Sequence, residues 1–141
     1  MTPDQLDRIR ESFRSIAPVS QDIFGRFLTR LFAAHSPLRA MLPRDASERA
    51  GDFMSTLGLI LKNLHRLDSL EFILADIGAR AHRAGIQPQH FGMARAALVS
   101  AVRDALGPEF NEQLEQDWTE ALNAAVSVML RGAGRARAKA A

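Results

Sequence analysis

The sequence predicts an all-α fold of about seven helices, on three observations. Apolar residues recur at intervals of three and four through successive stretches of the chain, the period of a helix that buries one face. No stretch shows the every-second-residue alternation of a half-buried strand. Prolines and glycines leave only short linkers, and there is no internal repeat, so a multi-helix domain packed at oblique angles fits better than a solenoid or two domains.

The first helix opens at Thr2-Pro3-Asp4-Gln5, where a capping hydroxyl, a proline at the first helical position and a glutamine three residues after the cap make a capping box. Leu6, Ile9, Phe13 and Ile16 form its buried stripe, and Pro18 ends it. A second helix carries Val19, Ile23, Phe24, Phe27, Leu28, Leu31 and Phe32. Ser36-Pro37 caps a short third helix that stops before Pro43, and Arg44 to Ser47 make a polar turn. From about Ser47 the stripe Phe53, Met54, Leu57, Ile60, Leu61 and Leu64 marks a long amphipathic helix that ends near His65. Asp68, with Glu71 three residues on, caps the next helix, whose buried edge is Leu70, Leu74 and Ile77 and which Gly85 ends. Pro88 opens a helix through Phe91, Ala94, Leu98, Val102 and Leu106, closed by Gly107-Pro108. The last helix carries Leu114, Trp118, Leu122, Ala125, Val126 and Met129.

A chain of 141 residues is long enough for one domain with a real core, and 47% hydrophobic against 24% charged content argues against disorder over most of it. Without cysteine, neither disulfides, thiolate metal sites nor cysteine nucleophiles contribute. The start, Met1-Thr2-Pro3-Asp4, lacks the regions of a signal peptide, and stretches such as Leu57 to Leu61 are too short to span a bilayer. A soluble, cytoplasmic protein with no membrane partner is therefore expected. A net charge of +2 gives no strong field, so nucleic acid is not expected as a partner either. Much of the basic excess lies in the Gly/Ala/Arg stretch from Arg131 onward, which divides the chain into a domain over residues 1–131 and a flexible basic tail over 132–141.

Six phrases carry a family resemblance: Phe24-Gly25-Arg26-Phe27-Leu28-Thr29-Arg30-Leu31-Phe32, Ser36-Pro37-Leu38-Arg39, Leu64-His65-Arg66-Leu67-Asp68-Ser69-Leu70, Ile77-Gly78-Ala79-Arg80, Gly85-Ile86-Gln87-Pro88-Gln89-His90-Phe91 and Asp117-Trp118-Thr119-Glu120-Ala121. In this order and spacing they resemble the bacterial single-domain globins and the globin domains of flavohaemoglobins. The resemblance implies a globin fold over nearly the whole chain, built around haem iron on a proximal histidine.

Several pocket positions depart from that family pattern. The position that directly follows the Gly-x-Arg phrase, where the family has its proximal histidine, is Ala81. Periodicity places Ala81 on the core-facing stripe with Leu70, Leu74 and Ile77, and His82 about 100° further round. The distal tyrosine of the second helix corresponds to Leu28, in a chain with no tyrosine at all. The phenylalanine that wedges against haem corresponds to Leu42, the distal glutamine or histidine to about Arg49, with Phe53 at the neighbouring inward position. The tyrosine that supports the proximal histidine corresponds to Phe91, which has no hydroxyl. His35 and His90 read as surface residues beside helix starts, and His65 as a helix-end residue.

Two functional alternatives follow from the resemblance. In the first, the chain is a haem-free or atypical globin, a non-enzymatic binding or sensing protein. Its pocket, lined by Leu28, Leu42, Arg49, Phe53, Ala81 and Phe91, either is packed shut or takes a small hydrophobic ligand or an anionic one facing Arg49. In the second, it binds haem b through His82, the one candidate metal ligand, after a shift of its helix that Gly78 and Gly85 would permit, and so binds oxygen or nitric oxide. Nitric oxide dioxygenation would need a separate reductase, since no flavin or nicotinamide domain follows before Ala141. No Ser/His/Asp set, carboxylate pair or phosphate-binding loop suggests another enzyme class. The faces Leu98 to Val102 and Trp118 to Met129 would support a homodimer.

Overall fold

The computed structural model describes residues 1–140, with side chains through residue 139. Among the described residues it is all-α: α1 (Pro3–Ile16), α2 (Ser20–Ala34), the single turn α3 (Leu38–Met41), α4 (Ala50–Lys62), α5 (Glu71–Arg83), α6 (Pro88–Leu106) and α7 (Glu112–Ala140). Short 3-10 segments, Ala17–Val19, Ala46–Glu48, Leu64–Leu70 and Gly107–Glu109, make most of the joints.

Thr2 caps α1 as expected: its hydroxyl accepts the Gln5 N–H at 3.2 Å, and the Gln5 side-chain oxygen accepts the Thr2 N–H at 2.8 Å. Pro88 likewise opens α6, and Gly107, at φ +57°, closes it in the left-handed region that glycine tolerates. Asp68 does not cap α5. Residues 64–70 turn as a 3-10 segment broken at Arg66 (φ −153°, ψ 55°), so α5 begins after Leu70 with no side-chain cap. Residues 132–140, expected as tail, continue α7, with Gly132 against Ala75 of α5 and Ala133 buried; Ala141 lies outside the described residues.

The main core forms where α1, α2, α4, α6 and α7 converge, around Ile9, Ile23, Phe27, Leu61, Val102 and Trp118. Two polar contacts, one buried and one partly buried, tie α1 to α7. The Trp118 indole N–H donates to the Ser12 hydroxyl at 3.0 Å, and the Asp117 carboxylate accepts from Arg8 at 2.7 and 3.2 Å and from Gln113 at 2.9 Å. A smaller cluster, Ile60, Leu70, Leu74, Ala125 and Val128, lies under α5. No helix among the described residues is long and apolar enough to cross a membrane.

Candidate functional site

The direction in which α5 presents its side chains decides what the site can hold. This helix runs antiparallel to α7, because Glu71 pairs with Arg135 at 3.1 Å, Ala75 meets Gly132, and Gly78 meets Met129. Both glycine contacts are backbone to backbone: a Cβ on Gly78 would lie 2.6 Å from the Met129 carbonyl carbon, and one on Gly132 would lie 2.6 Å from that of Ala75. At about 100° per residue, Glu71, Gly78 and His82 fall within about 40° of one another, on the side of α5 that faces α7. Ala81 lies about 100° from His82 and close to Ile77, on the flank where Leu74 and Ile77 join the cluster of Ile60, Ala125 and Val128. Ala81 and His82 are both half-buried, and the Ala81 carbonyl accepts the N–H groups of Ala84 and Ile86 at the helix end.

The other expected pocket residues divide. Leu28 is buried in the main core, and Leu42 and Phe53 pack against it. The Phe53 ring turns inward onto Phe24 and Phe27, with ring centroids 4.9 and 5.0 Å away, so it fills apolar space at the edge of the main core. Phe91 is half-buried at the start of α6. Arg49 does not point inward. Its guanidinium pairs with Asp45 four residues earlier at 3.2 Å, and 52% of its side chain is exposed, since keeping the cation in water costs less than burying it. Two shallow surface hollows lie elsewhere, one along α7 from Glu112 to Asn123 and one along α2 from Gln21 to Arg30.

Comparison with known proteins gives this helix order a family. The family model for globins matches residues 25–129. The chain belongs to the globin family. It is 25% identical to the flavohemoprotein of Bacillus subtilis over 118 residues, which are 79% of this globin and 30% of that protein. This chain thus spans under a third of that relative's length. Among solved structures it superposes on a bacterial globin from Campylobacter jejuni with a TM-score of 0.84 at 15% identity, covering 95% of this chain and 97% of that one. On an engineered carbene transferase from Rhodothermus marinus the TM-score is 0.86 at 20% identity, covering 98% and 96%. These likenesses establish the fold.

Globins hold haem iron through a histidine on the helix that α5 represents. The residues of this globin do not fit that arrangement. Ala81 has no lone pair to offer a metal, and His82, the only histidine of α5, lies on the α7 side. Leu28 has no hydroxyl with which to donate a hydrogen bond to a bound gas. Among the described residues, no group of three or more histidine, cysteine, aspartate or glutamate side chains could hold another metal.

One feature of the site region escaped the sequence. His90, expected at the surface, is buried with its ring 4.7 Å from that of His35. The available signal was its place three residues after Gln87, where a side chain can reach back to the cap.

Proposed function

We propose that this chain is a globin whose haem-ligating machinery has been lost and that it works as a non-enzymatic binding or sensing protein. The observation that carries this proposal is the split on α5, with an alanine on the Ile77 flank and the histidine on the face that Gly78 presses against α7. To bring His82 round to the Ala81 position, α5 would have to turn by about 100°. That turn would break the backbone contact between Gly78 and Met129 and the ion pair between Glu71 and Arg135. Oxygen or nitric oxide binding through His82 is therefore the less supported alternative, and a dioxygenase activity with a separate reductase depends on it.

The apolar wall also bears on ligand class. Phe53, Leu28, Leu42 and Phe91 present hydrocarbon, and Arg49 is committed to Asp45. A small neutral apolar ligand therefore fits this wall better than an anion. A direct test is to produce the full chain in cells supplied with excess haem and to compare its visible and ultraviolet absorbance after purification. The expected product carries far less haem than protein, and a full complement of haem would overturn the proposal.

A further inference from the structure

Two helix ends meet at a pair of histidines. His35 ends α2, its N–H on the Leu31 carbonyl at 3.0 Å, and His90 lies in the first turn of α6. Their ring centroids are 4.7 Å apart and the planes are tilted by 34°. His90 is only 5% exposed. Its Nδ1 accepts the backbone N–H of Gln87 at 2.8 Å, while its own backbone N–H donates to the Gln87 carbonyl at 2.9 Å. Gln87 follows the corner that leaves α5, where Gly85 takes φ +94° and the Ile86 N–H returns to the Ala81 carbonyl at 3.0 Å. One buried imidazole nitrogen thus ties down the chain that leads from Ala81 into α6.

A nitrogen that accepts an N–H carries no proton, so His90 is the neutral ring protonated on Nε2. A proton added to Nδ1 would replace that acceptor with a donor facing the Gln87 N–H. The surroundings oppose such a charge in several ways. The first turn of α6 is the positive end of its helix dipole. On the neighbouring α3 the charged group is Arg39, another cation, whose guanidinium lies 4.6 Å over the Phe32 ring one turn before His35. Among the described residues no carboxylate pairs with either imidazole. Burial first, and then the charge of His35, hold the His90 imidazole below its ordinary pKa.

We propose that His35 and His90 form an acid-sensitive clasp: protonation of His90 on Nδ1 releases the Gln87 N–H and frees the first turn of α6 from the end of α2, loosening the corner beside Ala81 and Phe91. The clasp acts on backbone, so it operates whether or not this globin holds a ligand.

The test uses the full chain labelled with nitrogen-15, following the Gln87 amide and the histidine ring protons by NMR from about pH 8 to about pH 5. The expected result is that Gln87 exchange protection, corrected for the intrinsic pH dependence of exchange, falls about tenfold or more in step with His90 protonation. In His90→Gln, whose side-chain oxygen can accept the same N–H without titrating, that acid dependence disappears. In His35→Gln the transition moves to higher pH, because the neighbouring positive charge is gone. Should His90→Gln fail to fold, the wild-type titration and the His35→Gln shift still decide. Constant Gln87 protection across the wild-type range, an unchanged acid response in folded His90→Gln, or an unmoved transition in His35→Gln would overturn the clasp.

Discussion

Gly78 of α5 and Met129 of α7 meet backbone to backbone, with no room between the helices for even a methyl group. Gly132 repeats the contact one turn along, against Ala75. Together they fix the rotation of α5 and so place Ala81 on one flank and His82 on another.

Gly78→Ala and Gly132→Ala are each expected to destabilise the fold by about 2–3 kcal/mol, because the obstacle is backbone and cannot swing aside. Gly92→Ala, in α6 with nothing within 4 Å of the added Cβ, is the control and should be neutral or stabilising by about 0.5–1 kcal/mol. Urea denaturation followed by circular dichroism separates these outcomes. Equal small effects at all three positions would contradict the close contact.

Asp117 is fully buried beneath Arg8, Gln113 and Gln5. Burial pushes its carboxyl up, but the hydrogen bonds from these three side chains outweigh that and hold it below the usual carboxylate value. The sign follows: with a folded pKa below the unfolded one, the stabilisation is fully present above about pH 4 and is lost as pH falls through the lower folded value. Asp117→Asn is expected to cost about 2–4 kcal/mol at neutral pH. Thermal denaturation against pH should show the gap between wild type and Asp117→Asn closing in acid, and a constant gap would contradict this account.

Phe53→Ala removes a half-buried ring that lies 4.9 and 5.0 Å from Phe24 and Phe27. The expected cost is about 2–3 kcal/mol, below that of a fully buried phenylalanine. The variant should also bind an apolar fluorescent dye more strongly than wild type, since Phe53 fills the space beside Phe24 and Phe27. Unchanged dye binding in a folded variant would show that other groups close that space.

The helical framework was legible because Ile9, Ile23, Leu61, Leu74 and Trp118 fall on three-and-four spacings, and because Thr2, Pro88 and Gly107 carry strong end signals. The start of α5 was not, since a 3-10 segment satisfies the backbone locally and leaves Asp68 without a capping role. Nor was the extent of α7: its Gly/Ala/Arg composition reads as solvated, yet the missing side chain of Gly132 is what allows the helix to lie on α5. At the site, residue types could be read but directions could not. Arg49, a candidate for the pocket lining, is held outward by Asp45, while the burial of His90 depends on α2 and α6 meeting across a long stretch of chain. Helix periodicity placed His82 about 100° from Ala81, but only the contact with Met129 shows what lies on that side.

The most direct measurement is a titration of the purified full chain with haem, following the Soret band together with the fluorescence of Trp118, its single tryptophan, in wild type and in His82→Ala. Weak, non-stoichiometric uptake that is the same in both proteins is the expected result. A sharp Soret band that saturates at stoichiometric haem and is lost in His82→Ala would contradict the account.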